Sequence, residues 1–310
     1  MADAKLRVLI VGGTGYLGKW LVEASLALGH ATFVLFRPGV VSDISKCQAL
    51  MQFKMKGAQL LRGSLEDDDS LVSALKQVDV VVSAIAGHKI LQQLKLVDAI
   101  KQVDNIKRFV PSEFGMDVDR MRNALPPGDE IFNAKRIVRR AIEEANIPYT
   151  YVSANCLASF FLAGLAQLGL FLPPRDHVNI YGAGDKKCIW VAEEDVAMYT
   201  MLTISDPRTV NKVLYLRPPE NILSQMEVVR MWEELIGAEL NKTFISEKEW
   251  LAKIDAETAP FLKAAKQHFY DTFYLGQLHF DVEGTGGLDC SELYREYKYV
   301  TAEDYLKRFV

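Results

Sequence analysis

Four cationic side chains lie within ten residues of the sequence, in IFNAKRIVRR at residues 131–140. Lys135 and Arg139 are four residues apart, so on a helix they share one face. Desolvation beside another cation lowers the pKa of a lysine, and its neutral amine can then act as a general base near neutral pH. The alternative is an ordinary surface lysine on a solvated helix face, and spacing alone favours that alternative.

A glycine-rich turn is the strongest motif in the chain. Gly12, Gly15 and Gly18 form GxxGxxG directly after an apolar run and at the start of a helical pattern. In this context a turn brings backbone N–H groups and a helix N-terminus to a pyrophosphate. We therefore predict a dinucleotide site made of Gly12, Gly13, Thr14, Gly15, Tyr16, Leu17 and Gly18.

A cation stands where an NAD enzyme usually has a carboxylate, at the end of the second apolar run. Arg37 in this position can pair with the 2′-phosphate of NADP, whereas a carboxylate would repel it; the alternative is a solvated arginine at the end of a strand. Lys46, near the start of the next helical pattern, either adds a second cation or is a surface lysine. The sequence therefore favours NADPH/NADP+ over NAD as the cofactor.

Short apolar runs alternate with helical patterns up to about residue 153, which is typical of a parallel sheet covered on both faces. The predicted strands are 7–11, 32–36, 58–63, 79–85, 107–110 and 149–153. The predicted helices are 16–28, 45–56, 69–77, 89–102 and 130–145. We predict an α/β fold with a Rossmann-type doubly wound parallel sheet, and residues 1–155 as its NADP-binding domain.

The regular alternation stops after residue 153. Segment 156–172 is apolar on most helical faces and precedes a Pro-Pro pair, so we predict a helix there that is buried or lines an apolar pocket. Ser224 and Ser246 each begin a capping box, and short strands are predicted at 178–181, 188–191 and 213–217. We predict that residues 156–310 form a smaller substrate-binding region, with some elements able to return to the first domain.

Composition excludes several classes of protein. The 310 residues are 49% hydrophobic and carry a net charge of −4, which disfavours a nucleic-acid-binding role. No apolar run approaches the roughly 18 residues of a membrane span, and the N-terminus lacks a signal-peptide pattern. The four cysteines have no ligand spacing. We therefore predict a cytoplasmic protein with reduced thiols and no metal site.

The chain resembles a family of plant NADPH-dependent reductases of phenylpropanoid metabolism. This family contains the isoflavone reductases, phenylcoumaran benzylic ether reductases and pinoresinol–lariciresinol reductases, which are NmrA-like, atypical short-chain dehydrogenases. The likeness runs from residue 7 to the final YLKRFV. The segments RVLIVGGTGYLGK, VLFRP, SEFGMD and LRPPENILSQ are most similar to the pinoresinol–lariciresinol reductases.

The resemblance implies roles for individual residues. Lys135 matches the catalytic lysine of the family, and the glycine turn, Arg37, Lys46 and Arg139 match residues that hold NADPH. His268 matches a histidine that faces the substrate, although a histidine there would more often be structural on sequence alone. Asn155 and Leu157 fall in the region expected to bind the substrate.

The implied reaction is the NADPH-dependent opening of a benzylic ether in a lignan. It converts pinoresinol to lariciresinol, with or without a further step to secoisolariciresinol, through a quinone methide formed with a lysine base. Two alternatives stay open: a phenylcoumaran or isoflavone as the hydride acceptor, or a non-catalytic NADP(H)-binding regulator. The resemblance further implies a small phenolic substrate, a homodimer, and no nucleic-acid or membrane partner.

Overall fold

The computed structural model describes residues 5–310, the side chain of residue 41 excepted. Its strands are β1 (Arg7–Val11), β2 (Ala31–Phe36), β3 (Gln59–Arg62), β4 (Val80–Ser83), β5 (Arg108–Val110), β6 (Thr150–Ser153), β7 (Cys156–Leu157), β8 (His177–Tyr181), β9 (Lys187–Val191), β10 (Lys212–Tyr215), β11 (Ile222–Ser224), β12 (Asn241–Ile245) and β13 (Leu288–Asp289). Its α-helices are α1 (Tyr16–Ala27), α2 (Ile44–Met55), α3 (Asp68–Leu75), α4 (Gln93–Ile100), α5 (Asp129–Glu144), α6 (Ala158–Phe161), α7 (Glu193–Thr203), α8 (Gln225–Ile236), α9 (Glu247–Asp255), α10 (Pro260–Phe273), α11 (Cys290–Leu293) and α12 (Ala302–Leu306).

A parallel sheet forms the centre of the first compact unit, which comprises residues 5–113, 134–152 and 196–214. The strand order is β3-β2-β1-β4-β5, and every neighbouring pair is parallel. A bridge between Phe109 and Tyr149 places the start of β6 beside β5. The strand order reverses between β1 and β4, which is the switch point of a Rossmann-type sheet. The predicted α/β fold is confirmed.

Both faces of this sheet are covered by helices. Leu9 and Val11 of β1 belong to a buried cluster that also holds residues of α3, α4 and α5. Ile10 lies on the opposite face, where its side chain and that of Val22 in α1 both approach Gly13. Successive side chains of a strand point to opposite faces. Burial on both faces therefore explains why the strands read as continuous apolar runs.

The second compact unit comprises residues 114–133, 153–195 and 215–310. Strands β11 and β7 flank β9, and β8 pairs in parallel with β12. Its core contains an aromatic cluster in which Tyr181 stacks on Phe273 with ring centroids 5.3 Å apart and meets Trp250 edge-on at 4.9 Å. The capping boxes at Ser224 and Ser246 are confirmed at the starts of α8 and α9.

The prediction of one long helix over residues 156–172 is wrong. The chain forms the two-residue strand β7 and the single turn α6, and then continues as turns. Leu165 and Ala166 adopt left-handed φ angles of 51° and 61°, which no α-helix can contain. A Cβ on Gly164 would overlap the Leu170 carbonyl oxygen. Residues 162–167 of this segment are buried, but Phe160, Leu170, Phe171 and Leu172 are exposed. Apolarity alone therefore predicted neither burial of the whole segment nor a helix.

Each compact unit contains residues from both predicted domain ranges, 1–155 and 156–310. Residues 1–4 lie outside the described residues. The assignment of the cofactor to the first range and the substrate to the second stays a prediction. Among residues 5–310, no helix has both the length and the apolar character of a membrane span. Those residues also contain no group of three or more His, Cys, Asp or Glu side chains placed to hold a metal ion.

Candidate active site

The carboxyl ends of the parallel strands bring the predicted residues of the first unit to one edge of the sheet. Gly12 follows β1, Arg37 follows β2, and Glu113 lies three residues beyond the end of β5. Val11 is in register with Ser83 at the end of β4, so the strand ends on either side of the switch point are level. Open α/β sheets bind their ligands at this edge.

Two glycines of the turn have no room for a side chain. Gly12 has a φ of +85°, and a Cβ there would lie 2.5 Å from the carbonyl oxygen of Ala84. A Cβ on Gly18 would overlap the carbonyl oxygen of Gly12. The N-cap residue of α1 is Gly15, which has no side chain with which to cap the backbone N–H groups of the first turn. This turn fits a dinucleotide pyrophosphate.

The other residues predicted in the turn differ in exposure. Thr14 is half-buried and Tyr16 is exposed, so both side chains reach the surface of the first unit. Leu17 is buried, and its side chain belongs to the core. Any contact of Leu17 with a cofactor would therefore be made by its backbone. The cofactor roles predicted for residues 12–18 stay predictions.

The two cations predicted for the cofactor phosphate have acidic neighbours. Arg37 is exposed after β2, and its charge acts on Glu66, whose pKa is lowered first by the hydrogen bond from Ser64 and further by the charges of Lys95 and Arg37. The Lys46 ammonium lies 2.5 Å from the carboxylate of Asp43, the N-cap of α2, and so holds the pKa of Asp43 well below its usual range.

A phosphate bound at Lys46 would therefore compete with the carboxylate of Asp43, whereas Glu66 acts on Arg37 only through its charge. Arg37 is placed at the strand end where a cofactor ribose lies in this fold. Lys46 is half-exposed and takes part in the capping of its own helix. The predicted phosphate roles of both residues stay predictions.

Lys135 lies on α5, and its Nζ donates a hydrogen bond to the backbone carbonyl oxygen of Glu113. Burial lowers the pKa of Lys135; the carboxylate of Glu113 acts to raise it, and the charge of Arg139 lowers it further. The net shift is downward. A lysine in this state can hold a neutral amine at lower pH than a free lysine, as a general base requires.

Arg139 is buried and paired. Its Nη2 lies 2.8 Å from Oε2 of Glu113, and only 1% of the Arg139 side chain and 3% of the Glu113 side chain are exposed. The Arg139 guanidinium also lies over the Tyr151 ring, 4.4 Å from the ring centre. The contact with the cofactor that we predicted for Arg139 would require this pair to open, and it stays a prediction.

Glu113 is a residue of this site for which the sequence predicts no role. It lies in SEFGMD, one of the segments that carry the family resemblance. The sequence does contain a signal, because an acidic residue lies three residues after the end of a predicted strand. Two cations one helical turn apart occur later in the sequence, and one of them needs a counter-charge if it is buried.

The predicted substrate residues lie in the second unit. The Nε2 atom of His268 is 2.9 Å from the carbonyl oxygen of Gly128, and its ring centroid is 4.8 Å from that of Phe132. Asn155 has a left-handed φ of 55° and donates from Nδ2 to the Leu216 carbonyl oxygen at 2.8 Å. Leu157 is half-buried and precedes α6. Their substrate roles stay predictions.

Comparison with known proteins gives consistent matches over the whole chain. The model of the NmrA-like family matches residues 4–306. The chain is 55% identical to bifunctional pinoresinol-lariciresinol reductase 1 from Thuja plicata, over 99% of this chain and 100% of the relative. A solved structure described as AtPrR2 with NADP+ and (+)pinoresinol superposes with a TM-score of 0.95 at 49% identity, over 99% of both chains.

A solved isoflavone reductase is similar in fold but less similar in sequence. It superposes with a TM-score of 0.94 at 36% identity, over 99% of this chain and 100% of the other. The fold therefore does not separate lignan reductases from isoflavone reductases. The sequence identity, 55% against 36%, does separate them for this chain.

Helix α10 carries a buried carboxyl group one turn beyond His268. Asp271 is 1% exposed, and among the described residues its Oδ2 atom has no hydrogen-bond partner. Burial raises the pKa of Asp271 to about 7 from an ordinary value of 3.8. The folded protein therefore binds a proton at pH 4–7 that the unfolded chain has released. The stability that this proton gives is fully present below about pH 4 and is lost as the pH rises to about 7.

We expect Asp271→Asn to reduce this pH dependence, since an amide stays neutral. The free energy of unfolding should fall less between pH 5 and pH 8 in Asp271→Asn than in wild type, by as much as about 3 kcal/mol. This figure corresponds to the two pH units between pH 5 and the pKa of about 7, at about 1.4 kcal/mol per unit. Urea unfolding at both pH values measures it. Burial also raises the pKa of Asp195 to about 7, and Asp195 contributes the same pH dependence to wild type and to Asp271→Asn. The exposed Asp255→Asn is the control, and an unchanged fall in Asp271→Asn would contradict the prediction.

Proposed function

This chain belongs to the NmrA-like family, in the group of the pinoresinol–lariciresinol reductases, and we propose that it is an NADPH-dependent reductase of lignan benzylic ethers. One observation carries the proposal: a lysine of lowered pKa is held at the same sheet edge as a glycine turn that fits a dinucleotide. The named activity of the Thuja plicata relative and the ligands of the AtPrR2 structure support the choice of substrate and cofactor. We further propose a cytoplasmic homodimer, on family resemblance alone.

The first unit has the residues to hold and orient NADPH. Backbone N–H groups of residues 12–18 would bind the pyrophosphate, and Arg37 would bind the 2′-phosphate. When bound there, NADPH supplies a hydride for the benzylic carbon of the substrate. The protein's share of the chemistry is then to position the substrate, to exclude water and to move a proton.

Lys135 is the proposed general base. As a neutral amine it accepts the proton of the substrate's phenol, while the Glu113 carbonyl fixes the position of its Nζ. The electron pair of the phenolate moves into the ring and expels the benzylic ether oxygen, which leaves a quinone methide. Hydride addition at the benzylic carbon restores the phenolate. The lysine ammonium then returns its proton to one of the two product oxygens, the expelled alkoxide or the phenolate, and solvent protonates the other, so that the reaction consumes one hydride and one proton.

Two alternatives can be distinguished from this proposal. A phenylcoumaran or isoflavone reductase would keep the cofactor and change the acceptor. A non-catalytic NADP(H)-binding regulator would have no need of a base, yet Lys135 is present with a lowered pKa. Sequence identity favours the lignan reductase, because the isoflavone reductase is the less similar relative.

A panel of acceptors tests the proposed function. Purified protein and NADPH are incubated separately with pinoresinol, lariciresinol, dehydrodiconiferyl alcohol and an isoflavone, and the products are separated by chromatography. We expect pinoresinol to be reduced, because the lignan reductases are the more similar relatives. Turnover of dehydrodiconiferyl alcohol or the isoflavone alone would reject the lignan assignment, and turnover of none of the four would favour the regulator.

We expect Lys135→Met to lower kcat by about two to four orders of magnitude, the usual contribution of a general base. Methionine keeps most of the side-chain volume and removes the amine, so the affinity for NADPH measured by fluorescence titration should be retained. Arg140→Met is the matched control, since Arg140 lies on the same helix with half of its side chain exposed. Retained activity in Lys135→Met would remove the lysine from the mechanism.

We expect Arg37→Ala to weaken NADPH binding by about ten- to a hundredfold and to leave NADH binding nearly unchanged, because only NADPH has the 2′-phosphate. Titration of each cofactor into the protein measures both affinities. Lys56→Ala is the control. It removes an exposed cation at the C-terminal end of α2, where Lys56 pairs with Glu23. An equal loss of affinity for the two cofactors would show that Arg37 does not discriminate between them.

A further inference from the structure

Glu113 contacts the two functional cations of α5 through two different groups. Its backbone carbonyl oxygen accepts the hydrogen bond from Lys135 Nζ, and its carboxylate accepts from Arg139 Nη2 at 2.8 Å. One residue therefore fixes the amine by its main chain and the guanidinium by its side chain. A substitution of the Glu113 side chain leaves the main-chain bond available, so the two contacts can be tested separately.

Arg139 is held on its other sides as well. Its guanidinium lies over the Tyr151 ring, and the Tyr151 hydroxyl donates to the Arg139 carbonyl oxygen at 3.2 Å and to Glu143 at 3.3 Å. An arginine stays ionised in proteins, and a buried guanidinium needs a counter-charge. Glu113 supplies that charge. Because both side chains of the pair are almost fully buried, both charges act on Lys135 with little screening.

We propose that the buried Glu113–Arg139 pair is a positioning device for Lys135, in which Glu113 fixes the place of the amine and the two opposite charges set the field around it. This inference rests on the proposed function of Lys135 as the base. It gives Glu113 a role, and it gives Arg139 a role that does not require the ion pair to open for a cofactor.

The two charges have opposite effects on Lys135. Burial makes the largest contribution and lowers its pKa, the carboxylate of Glu113 raises the pKa, and the charge of Arg139 lowers it. Two other ionisable groups belong to this network: Tyr151, which contacts Arg139, and Glu143, which accepts from the Tyr151 hydroxyl. Removal of the Glu113 charge should therefore lower the pKa of Lys135, and removal of the Arg139 charge should raise it. Loss of a merely structural contact would not shift this pKa in opposite directions in the two variants.

The test compares Glu113→Gln with Arg139→Met. The measured quantity is the acid limb of kcat/KM for pinoresinol, the pH range over which kcat/KM rises as Lys135 loses its proton. We expect the limb to move to lower pH in Glu113→Gln and to higher pH in Arg139→Met, each by roughly one pH unit. Glutamine keeps an oxygen that can accept from Arg139. Shifts in the same direction, or no shift in either variant, would overturn the proposal.

Two charge-conserving variants cover the case in which an unpaired buried charge prevents folding. Glu113→Asp and Arg139→Lys keep both charges and change the geometry. We expect kcat to fall by about tenfold or more with the acid limb unmoved, because a small displacement of a catalytic group is costly. A kcat within about twofold of wild type in both variants would contradict the positioning role.

A second measurement separates this inference from the proposed function. Lys135 is acylated with an amine-reactive reagent over a range of pH in the cofactor-free protein, and peptide mass spectrometry gives its rate. The same opposite shifts are expected, and Arg140→Met should show none. If wild type reduces no lignan but the labelling shifts are opposite, the proposed function fails and the electrostatic inference stands.

The affinity for NADPH distinguishes the two roles of Arg139. We expect Arg139→Met to bind NADPH within about threefold of wild type, in contrast to the larger loss expected in Arg37→Ala. A loss in Arg139→Met as large as that in Arg37→Ala, with the labelling rate of Lys135 unshifted, would make Arg139 a cofactor contact and overturn the proposal.

Discussion

The buried pair of Glu113 and Arg139 is the constraint on which the proposed chemistry depends. A free lysine has a pKa of about 10.4 and is almost fully protonated at neutral pH, so a lysine base must be desolvated or placed beside a cation. Arg139 is such a cation, but its own burial requires Glu113. The same Glu113 holds the Lys135 amine through its carbonyl oxygen. Burial of one pair thus fixes both the place of the amine and the field that acts on it.

The parallel sheet explains why Glu113 and the glycine turn lie at the same edge of the first unit. Glu113 follows β5 and Gly12 follows β1, and parallel strands end at one edge. The turn after β1 packs tightly against the chain after β4, since a Cβ on Gly12 would press on the Ala84 carbonyl. The fit of the turn to a pyrophosphate and the place of the lysine are therefore both consequences of strand order.

The parts of the fold that could be predicted are those where one local signal determines the structure. Continuous apolar runs predicted central strands such as β1 and β4, because a strand buried on both faces of a parallel sheet carries apolar side chains at successive positions. The apolar composition of residues 156–172 was misleading, because the left-handed Leu165 and Ala166 end any helix there. Lys135 was predicted from family resemblance. Glu113 was missed because its importance lies in contacts with residues more than twenty positions away, which no local pattern records.

The similarity of the isoflavone reductase fold has a consequence for where substrate choice resides. If one sheet and one glycine turn serve several acceptors, these features determine cofactor use and leave the acceptor undetermined. Choice of acceptor must then depend on side chains outside the parallel sheet. In the second unit, His268 packs on Phe132 and bonds to Gly128, and the left-handed Asn155 bonds to Leu216. If the substrate roles predicted for His268 and Asn155 hold, exchanges at these positions change the acceptor without altering the lysine, the ion pair or the turn.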